Sequence, residues 1–214
     1  RREDQMVGRY RNSWPDKPKY AKGGCGSTSL SYLMSAYYNL DCITNTPPMM
    51  DFLSLTVFSS SASRIPKNLL KSENAIYDLR GSDVQLQSLL NDLASVVSHF
   101  IIPTATDAVS ICHTVNLVNH AHALGLPVSI VINNYRTEKN LNAAHISLRD
   151  LLPHTPIFSL RYTTLFGRLT YDGRAWLEKV HHSKGEGRLL NTLDQIHEMF
   201  DQILGFSGSR QHAK

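Results

Sequence analysis

The sequence Pro-Val-Ser-Ile-Val-Ile-Asn at residues 127–133 is an almost continuous apolar run, and it decides the fold class. A strand that is solvated on one face alternates apolar and polar residues, whereas a strand buried on both faces reads as an unbroken apolar run. Comparable runs occupy residues 75–79 and 97–103. Strands of this kind are typical of a parallel sheet that is covered on both faces.

Helical patterns separate these runs. Apolar residues recur at helical spacing over residues 86–95 and 109–124, and Gly125 follows the second segment as a stop signal. Strands that alternate with helices of this length favour parallel strands joined by crossovers. We therefore predict an α/β fold, doubly wound, with a mostly parallel sheet and helices on both faces, in which the three apolar runs are neighbouring or near-neighbouring strands of one sheet.

The rest of the chain fits one domain. Further strands are expected at residues 40–44 and 157–160, and further helices at 28–38, 141–152, 174–182 and 189–204. Residues 1–21 are polar and basic, and Pro15 and Pro18 argue against a helix or a central strand there. We predict an N-terminal arm at 1–21, a domain at 22–205 and a flexible tail at 206–214.

Composition excludes several classes of protein. The 214 residues are 42% hydrophobic and 19% charged, a balance that excludes a wholly disordered chain. No apolar run approaches the roughly 18 residues that span a bilayer, and no secretory signal is visible. Three widely spaced cysteines without a Cys-x-x-Cys pair argue against a disulfide scaffold or a cysteine zinc site. We expect a cytoplasmic protein.

The net charge of +4 is unevenly distributed. Residues 1–22 carry seven Lys and Arg against three Asp and Glu, and residues 161–188 carry six against three. Residues 23–160 carry seven against nine. Two basic regions around a near-neutral body suggest an anionic partner, although scattered surface charge that serves solubility is an equal alternative.

The sharpest local signal is the glycine-rich segment Lys-Gly-Gly-Cys-Gly-Ser-Thr-Ser at residues 22–29, which leads into a predicted helix. Backbone N–H groups of such a turn, together with the helix dipole, can surround a phosphate. The standard phosphate loop reads Gly-x-x-x-x-Gly-Lys-Ser/Thr. Here Ser27 stands where the lysine is expected and Thr28 where the magnesium-binding hydroxyl is expected. An ordinary glycine-rich turn is the alternative.

The segment resembles the deviant Walker A motif, Lys-Gly-Gly-x-Gly-Lys-Ser/Thr, of the ParA/MinD family of P-loop ATPases. The resemblance extends in order along roughly residues 22–205. Residues 40–45 look like the family's second strand, which often ends Ile-Thr-Asn-Asp, and residues 75–81 look like its Ile-Tyr-Asp-Leu-Gly-Gly strand and switch. Three later segments also look like family strands and the residues that directly follow them, namely residues 100–104, 131–139 and 156–161.

The resemblance implies a set of site residues. Lys22 is expected to reach the partner's phosphates in a nucleotide-bridged dimer, with Asp78 as the second catalytic residue. Thr28 and Asp78 are the implied magnesium ligands, and Asn133 or Asn134 reads the adenine. The expected nucleotide-binding residues are Gly23, Gly24, Cys25, Gly26, Ser27, Thr28, Ser29, Asn133 and Asn134. The implied cofactors are ATP and Mg²⁺.

Three departures from the family pattern matter. Ser27 carries no charge to neutralise the phosphates. Thr46 follows Asn45 where a carboxylate is expected, and it cannot order a magnesium shell as an aspartate does. Pro15 and Pro18 exclude an ordinary central strand directly before Lys22, so we expect that region to be irregular or displaced.

The C-terminal third carries basic residues with aromatic residues among them. Family members hold non-specific DNA through this general region, and phosphate contacts need only positive charge. The candidates are Arg161, Arg168, Arg174, Lys179, Lys184 and Arg188. A solvated helical face is the alternative.

The function that the resemblance implies is that of a ParA-like partition protein. Such a protein binds ATP, forms a homodimer, binds DNA non-specifically and responds to a centromere-binding adaptor protein. We expect its hydrolysis to be weak or lost. The alternative is a non-hydrolysing relative that serves as a protein-interaction module in a partition or conjugation system. We expect no membrane partner, because the C-terminal ten residues are too short and too rich in Gly and Ser for an amphipathic helix.

Overall fold

The computed structural model describes residues 25–46, 52, 54–72, 74–163, 165 and 187–205, without the side chains of residues 188 and 189. Several sequence predictions lie outside these residues. They are the arm at 1–21, the absence of a regular strand before Lys22, the helix at 174–182 and the tail at 206–214.

The described residues form alternating strands and helices in the predicted order. Two features were not predicted, the short strand β2 and a 3-10 turn at Leu69–Lys71. The elements are α1 (Ser27–Tyr38), β1 (Asp41–Thr44), β2 (Leu55–Val57), β3 (Ala75–Asp78), α2 (Asp83–Leu93), β4 (Phe100–Thr104), α3 (Ala108–Ala123), β5 (Val128–Tyr135), α4 (Glu138–Leu151), β6 (Ile157–Arg161) and α5 (Gly187–Ile203).

All described strand pairs are parallel, and they form two three-stranded sheets with the orders β2-β1-β3 and β4-β5-β6. The predicted pairing of the runs at 97–103 and 127–133 is confirmed, since Phe100 pairs with Val128 and Thr104 with Ile132. The prediction that 75–79 joins them in one sheet is wrong for the described residues. There β3 pairs with β1 instead, from Asp41 opposite Ala75 to Thr44 opposite Asp78.

Helices cover both faces, which confirms the predicted α/β class. On one face, α1 and α5 pack on both sheets at once. Their shared core includes Leu33 of α1 and Phe200 of α5, together with Cys42 of β1 and Val131 of β5. The two sheets are therefore joined through this helical layer.

Side chains alternate along each strand, so the residues between those of the first core form further cores on the opposite face of the sheets. Ile130 and Ile132 of β5 point away from Val131 into a second core that α3 and α4 cover. Helix α2 contributes Leu90 to that core and Leu89 to a third core, which lies over β1 and β3. Thus α2 spans both sheets on this face as α1 does on the other.

We expect Ile196→Ala to lower the free energy of unfolding by about 2–5 kcal/mol, because the side chain is fully buried in the core shared by α1, α5 and both sheets. The matched control is Ile146→Ala, the same change at a side chain that is 62% exposed on α4. It should stay within about 0.5 kcal/mol of wild type in denaturant titration. Equal losses in the two variants would contradict the assignment of Ile196 to this core.

Candidate functional site

The first turn of α1 lies at the carboxyl ends of β3 and β5. The Thr28 hydroxyl donates to Asp78 Oδ2 at the end of β3, with 2.7 Å between the oxygens. Asn133 of β5 donates through its Nδ2 to the Cys25 carbonyl oxygen at 2.8 Å. Each sheet thus contributes one side chain that holds the start of the same helix.

This helix begins differently from its neighbours. Ser82, Asp107 and Thr137 cap α2, α3 and α4, and each side chain accepts a backbone N–H three residues later. Helix α1 has Gly26 at that position, with no side-chain cap and no acidic residue in its first turn. The positive end of its dipole is therefore not compensated from within the helix.

Two local constraints require glycine at position 26. Its φ of 81° lies in the left-handed region, which L side chains rarely adopt. A Cβ at this position would also collide with the Nδ2 atom of Asn133. The close approach of backbone to Asn133 is what allows the amide to reach the Cys25 carbonyl.

Arg80 is the third residue at this site. Its Nη2 donates to the Thr28 hydroxyl oxygen, so Arg80, Thr28 and Asp78 form a continuous series of hydrogen bonds. The side-chain amide of the buried Asn45, which follows β1, bonds to both the N–H and the carbonyl of the Arg80 backbone. Its Nδ2 donates to the Arg80 carbonyl at 2.5 Å, and its Oδ1 accepts the Arg80 N–H at 2.9 Å.

The Asp78 carboxylate is buried, with 2% exposure. Only Oδ2 is paired, and Oδ1 has no hydrogen-bond partner among the described residues. Burial, reinforced by the negative charge of Asp78, raises the pKa of the Cys42 thiol to about 12. Asn133 Oδ1 is a second buried acceptor for which the described residues supply no donor. The site therefore contains two acceptor atoms that a bound group could pair.

The structure brings together Thr28, Asp78 and Asn133 beside Cys25 and Gly26. Their catalytic, nucleotide-binding and metal-binding roles stay predictions. Asn134 is exposed at an irregularity in the pairing of β5 with β6 and has a φ of 65°. Lys22, Gly23 and Gly24 lie outside the described residues.

Of the six predicted DNA-binding residues, Arg161 is described and is exposed at the end of β6. The side chains of the other five lie outside the described part of the chain. Their role also stays a prediction. The five are Arg168, Arg174, Lys179, Lys184 and Arg188.

The Thr28 hydroxyl in this arrangement does not fit a magnesium ion, although Asp78 supplies a carboxylate whose Oδ1 is unpaired among the described residues. Magnesium prefers hard oxygen ligands in octahedral geometry, and protein sites supply them mainly from carboxylates. Here the oxygen of Thr28 already accepts a hydrogen bond from a cation, Arg80, which repels a second positive charge. Thr46 supplies no carboxylate, and its backbone N–H is bonded to the Thr44 hydroxyl at 3.1 Å.

The sequence analysis assigned no role to Arg80 or Asn45. A signal for Arg80 was present, because it stands where the family's Ile-Tyr-Asp-Leu-Gly-Gly motif has its first glycine. An arginine in a position that a glycine normally occupies adds a long cationic side chain next to the end of β3. Asn45 gave no such signal, since its contact with Arg80 spans 35 residues of sequence.

Two of the three histidines of α3 link this helix to α2. His113 Nδ1 lies 2.7 Å from Asp83 Oδ2, and His120 Nε2 lies 3.1 Å from the Gln87 carbonyl oxygen. Within the described ranges, no three His, Cys, Asp or Glu side chains are grouped so that they could hold a metal ion. In the same ranges, no helix has the length and apolar character needed to cross a membrane.

We expect Gly26→Ala to destabilise the protein more than Gly125→Ala. Both glycines have a positive φ, 81° and 73°. Because an L residue is strained in that conformation, each alanine variant should lose about 1–2 kcal/mol of its free energy of unfolding. Only the Cβ at position 26 meets a neighbour, because position 125 has no heavy atom within 4 Å of the added carbon. Adding Asn133→Ala should remove the excess cost of Gly26→Ala. Denaturant titration of the single and double variants measures this coupling, and strictly additive losses would contradict the contact.

Comparisons with known proteins give a likeness to solved structures and none to known sequences. No family model matches the sequence, and no curated protein matches it. Among solved structures, the chain is similar to a protein from Borrelia burgdorferi B31 that is described as a plasmid partition protein and was crystallised bound to AMPPNP. The identity is 12% and the TM-score is 0.49, over 85% of this chain and 96% of that chain. A likeness of this size carries no argument about function, which is therefore argued from the chain's own residues.

Proposed function

We propose that the protein is a ParA-like partition protein that binds adenine nucleotide at the start of α1. The observation that carries the proposal is the hydrogen bond of Thr28 to Asp78. It joins a glycine-rich turn and an uncapped helix to the carboxyl end of a parallel strand. In open α/β sheets this edge is where ligands bind, and an uncapped helix start there favours a phosphate. The sequence resemblance supplies the identity of the nucleotide.

Hydrolysis is weak or absent in this proposal. Ser27 leaves the phosphates without the lysine that an intact loop provides, and Thr46 replaces the expected carboxylate. The hydrogen bond from Arg80 to the Thr28 oxygen adds a third reason, because it occupies the atom that would bind magnesium. The nucleotide then acts as a bound switch rather than as a substrate that turns over.

Dimer formation, non-specific DNA binding and an adaptor partner complete the proposal. Their support is the sequence resemblance and the excess of positive charge in residues 161–188. Nucleotide would stabilise the dimer through Lys22, and the dimer would present two basic surfaces to the same duplex.

A second candidate is a protein-interaction module that binds no nucleotide. The observation that favours it is that Arg80, Thr28 and Asp78 already bond to one another without a ligand. The polar groups of such a site already pair with one another, which lowers the free energy gained when a phosphate binds. Direct measurement of ATP binding separates the two candidates.

We expect wild-type protein to bind ATP weakly, and Ser27→Lys to bind it more tightly. A charge-assisted contact to phosphate contributes about 1.5–3 kcal/mol, so the gain is roughly tenfold or more. Isothermal titration calorimetry with ATP and with a non-hydrolysable analogue measures the affinity. The matched control is Ser147→Lys, at an exposed position on α4, which should bind as wild type does.

Two results would count against this proposal. Tight binding by wild type that Ser27→Lys leaves unchanged would show that nucleotide binding does not depend on a lysine at position 27. No ATP binding by either protein would favour the interaction module.

We expect sequence-independent binding to duplex DNA that weakens steeply as salt rises, because counterions are released from the phosphates. Arg168→Glu combined with Lys184→Glu should weaken binding equally for unrelated sequences. A control with the same charge change is Lys139→Glu combined with Arg149→Glu, at two exposed positions on α4. Fluorescence anisotropy over a salt series measures the affinities. No binding at low salt, or an affinity independent of salt, would remove DNA from the proposed function.

A further inference from the structure

We propose that Arg80 provides the phosphate-binding cation of this site, so that nucleoside triphosphate binds without magnesium. The inference rests on the proposed function and refines it, because it names the ligand group and the residue that holds it. The Thr28 oxygen, which would bind magnesium, already accepts a hydrogen bond from Arg80.

The position of the guanidinium is the first argument. Arg80 is an exposed residue, yet its Nη2 contacts the hydroxyl of the buried Thr28 in the first turn of α1. A guanidinium has five N–H donors. Within the described part of the chain, this contact with Thr28 is the one hydrogen bond that its side chain makes. The remaining donors can reach a ligand that enters at the uncapped helix start.

The rigidity of the Arg80 backbone is the second argument. The side-chain amide of Asn45 bonds both its N–H and its carbonyl, and Asn45 itself is fully buried. An arginine whose backbone is already held loses less conformational freedom when it binds, and its planar fork matches phosphate oxygens in pairs. The base of this side chain is thus fixed at the end of β3, next to the first turn of α1 and not on the glycine-rich segment.

The unpaired acceptors are the third argument, and they point independently to a ligand. Asp78 Oδ1 and Asn133 Oδ1 are buried and lack donors among the described residues, and their partner atoms Oδ2 and Nδ2 both contact the start of α1. An uncapped helix start and a guanidinium need an acceptor, whereas these two oxygens need a donor. A nucleotide offers phosphate oxygens to the helix start and the guanidinium, and it offers hydroxyl or amino groups to the two unpaired oxygens.

Magnesium and Arg80 exclude each other in this geometry. The Thr28 hydroxyl gives its proton to Asp78 and accepts from Arg80, so a metal ion on that oxygen would lie beside the guanidinium charge. When Arg80 binds phosphate in the place of the metal, its positive charge lies against the phosphate oxygens.

The test is calorimetric titration of the full chain with ATP, once in excess EDTA and once in magnesium. Sodium tripolyphosphate serves as a second ligand without base or sugar. We expect wild type to bind ATP equally well in both buffers and to bind tripolyphosphate as well. Arg80→Gln should weaken both ligands about tenfold or more in EDTA, and Arg80→Lys, which keeps the charge but not the fork, should weaken them less.

The matched control is Arg149→Gln, an exposed arginine in the last turn of α4, which should bind as wild type does. Thermal unfolding of each variant shows that the fold is retained. Two results would overturn the inference while leaving the proposed function intact: ATP binding that requires magnesium, or unchanged ATP affinity in Arg80→Gln. Failure of wild type to bind ATP in either buffer would instead overturn the proposed function itself.

Discussion

The hydrogen bond from Thr28 to Asp78 is the contact on which the arrangement of this site depends. It is buried and charge-assisted, so it contributes about 1.5–3 kcal/mol, and its loss would leave a carboxylate without its partner. Together with the bond of Asn133 to Cys25, it ties the start of α1 to both sheets. No ladder joins the two sheets within the described ranges, so the helices that pack across both, α1 and α5 on one face and α2 on the other, hold them together.

The far end of α1 is anchored as firmly as its start. The Tyr38 hydroxyl donates to Asp201 of α5 at 2.7 Å, and the Tyr37 ring stacks on His197 with centroids 3.9 Å apart. Burial and the neighbouring carboxylate of Asp201 raise the pKa of Tyr38, which keeps its hydroxyl protonated as the donor. A helix that is fixed at both ends can leave its N-terminal N–H groups uncapped, because its stability does not depend on a cap. The structure thus has the freedom to present those groups to a ligand.

The fold was predictable from the sequence to the extent that local pattern determines it. The buried strands and the helices of residues 86–152 have strong periodicity, and their predicted bounds differ by only a few residues from those observed. The three-residue β2 is too short to show a period, and the assignment of β3 to a separate sheet depends on pairing between distant segments. At the site, motif position singled out Thr28 and Asp78, which are in contact, while their predicted roles stay predictions. Asn45 was missed because a side-chain bond to a distant backbone leaves no pattern in either segment.

Arg80 shows why departures from a family pattern are best considered together. Compared with the motifs that the sequence resembles, Ser27 lacks a positive charge in the glycine-rich segment, while Arg80 has an additional one at the end of β3, next to the same helix turn. Taken alone, the first change indicates a damaged loop and the second an unexplained surface arginine. Taken together, they conserve the number of cations at the site but move the cation from the helix to the strand end. That relocation agrees with the bond of the Thr28 oxygen to a guanidinium, and in the proposed function it would suit the site to holding phosphate rather than to cleaving it.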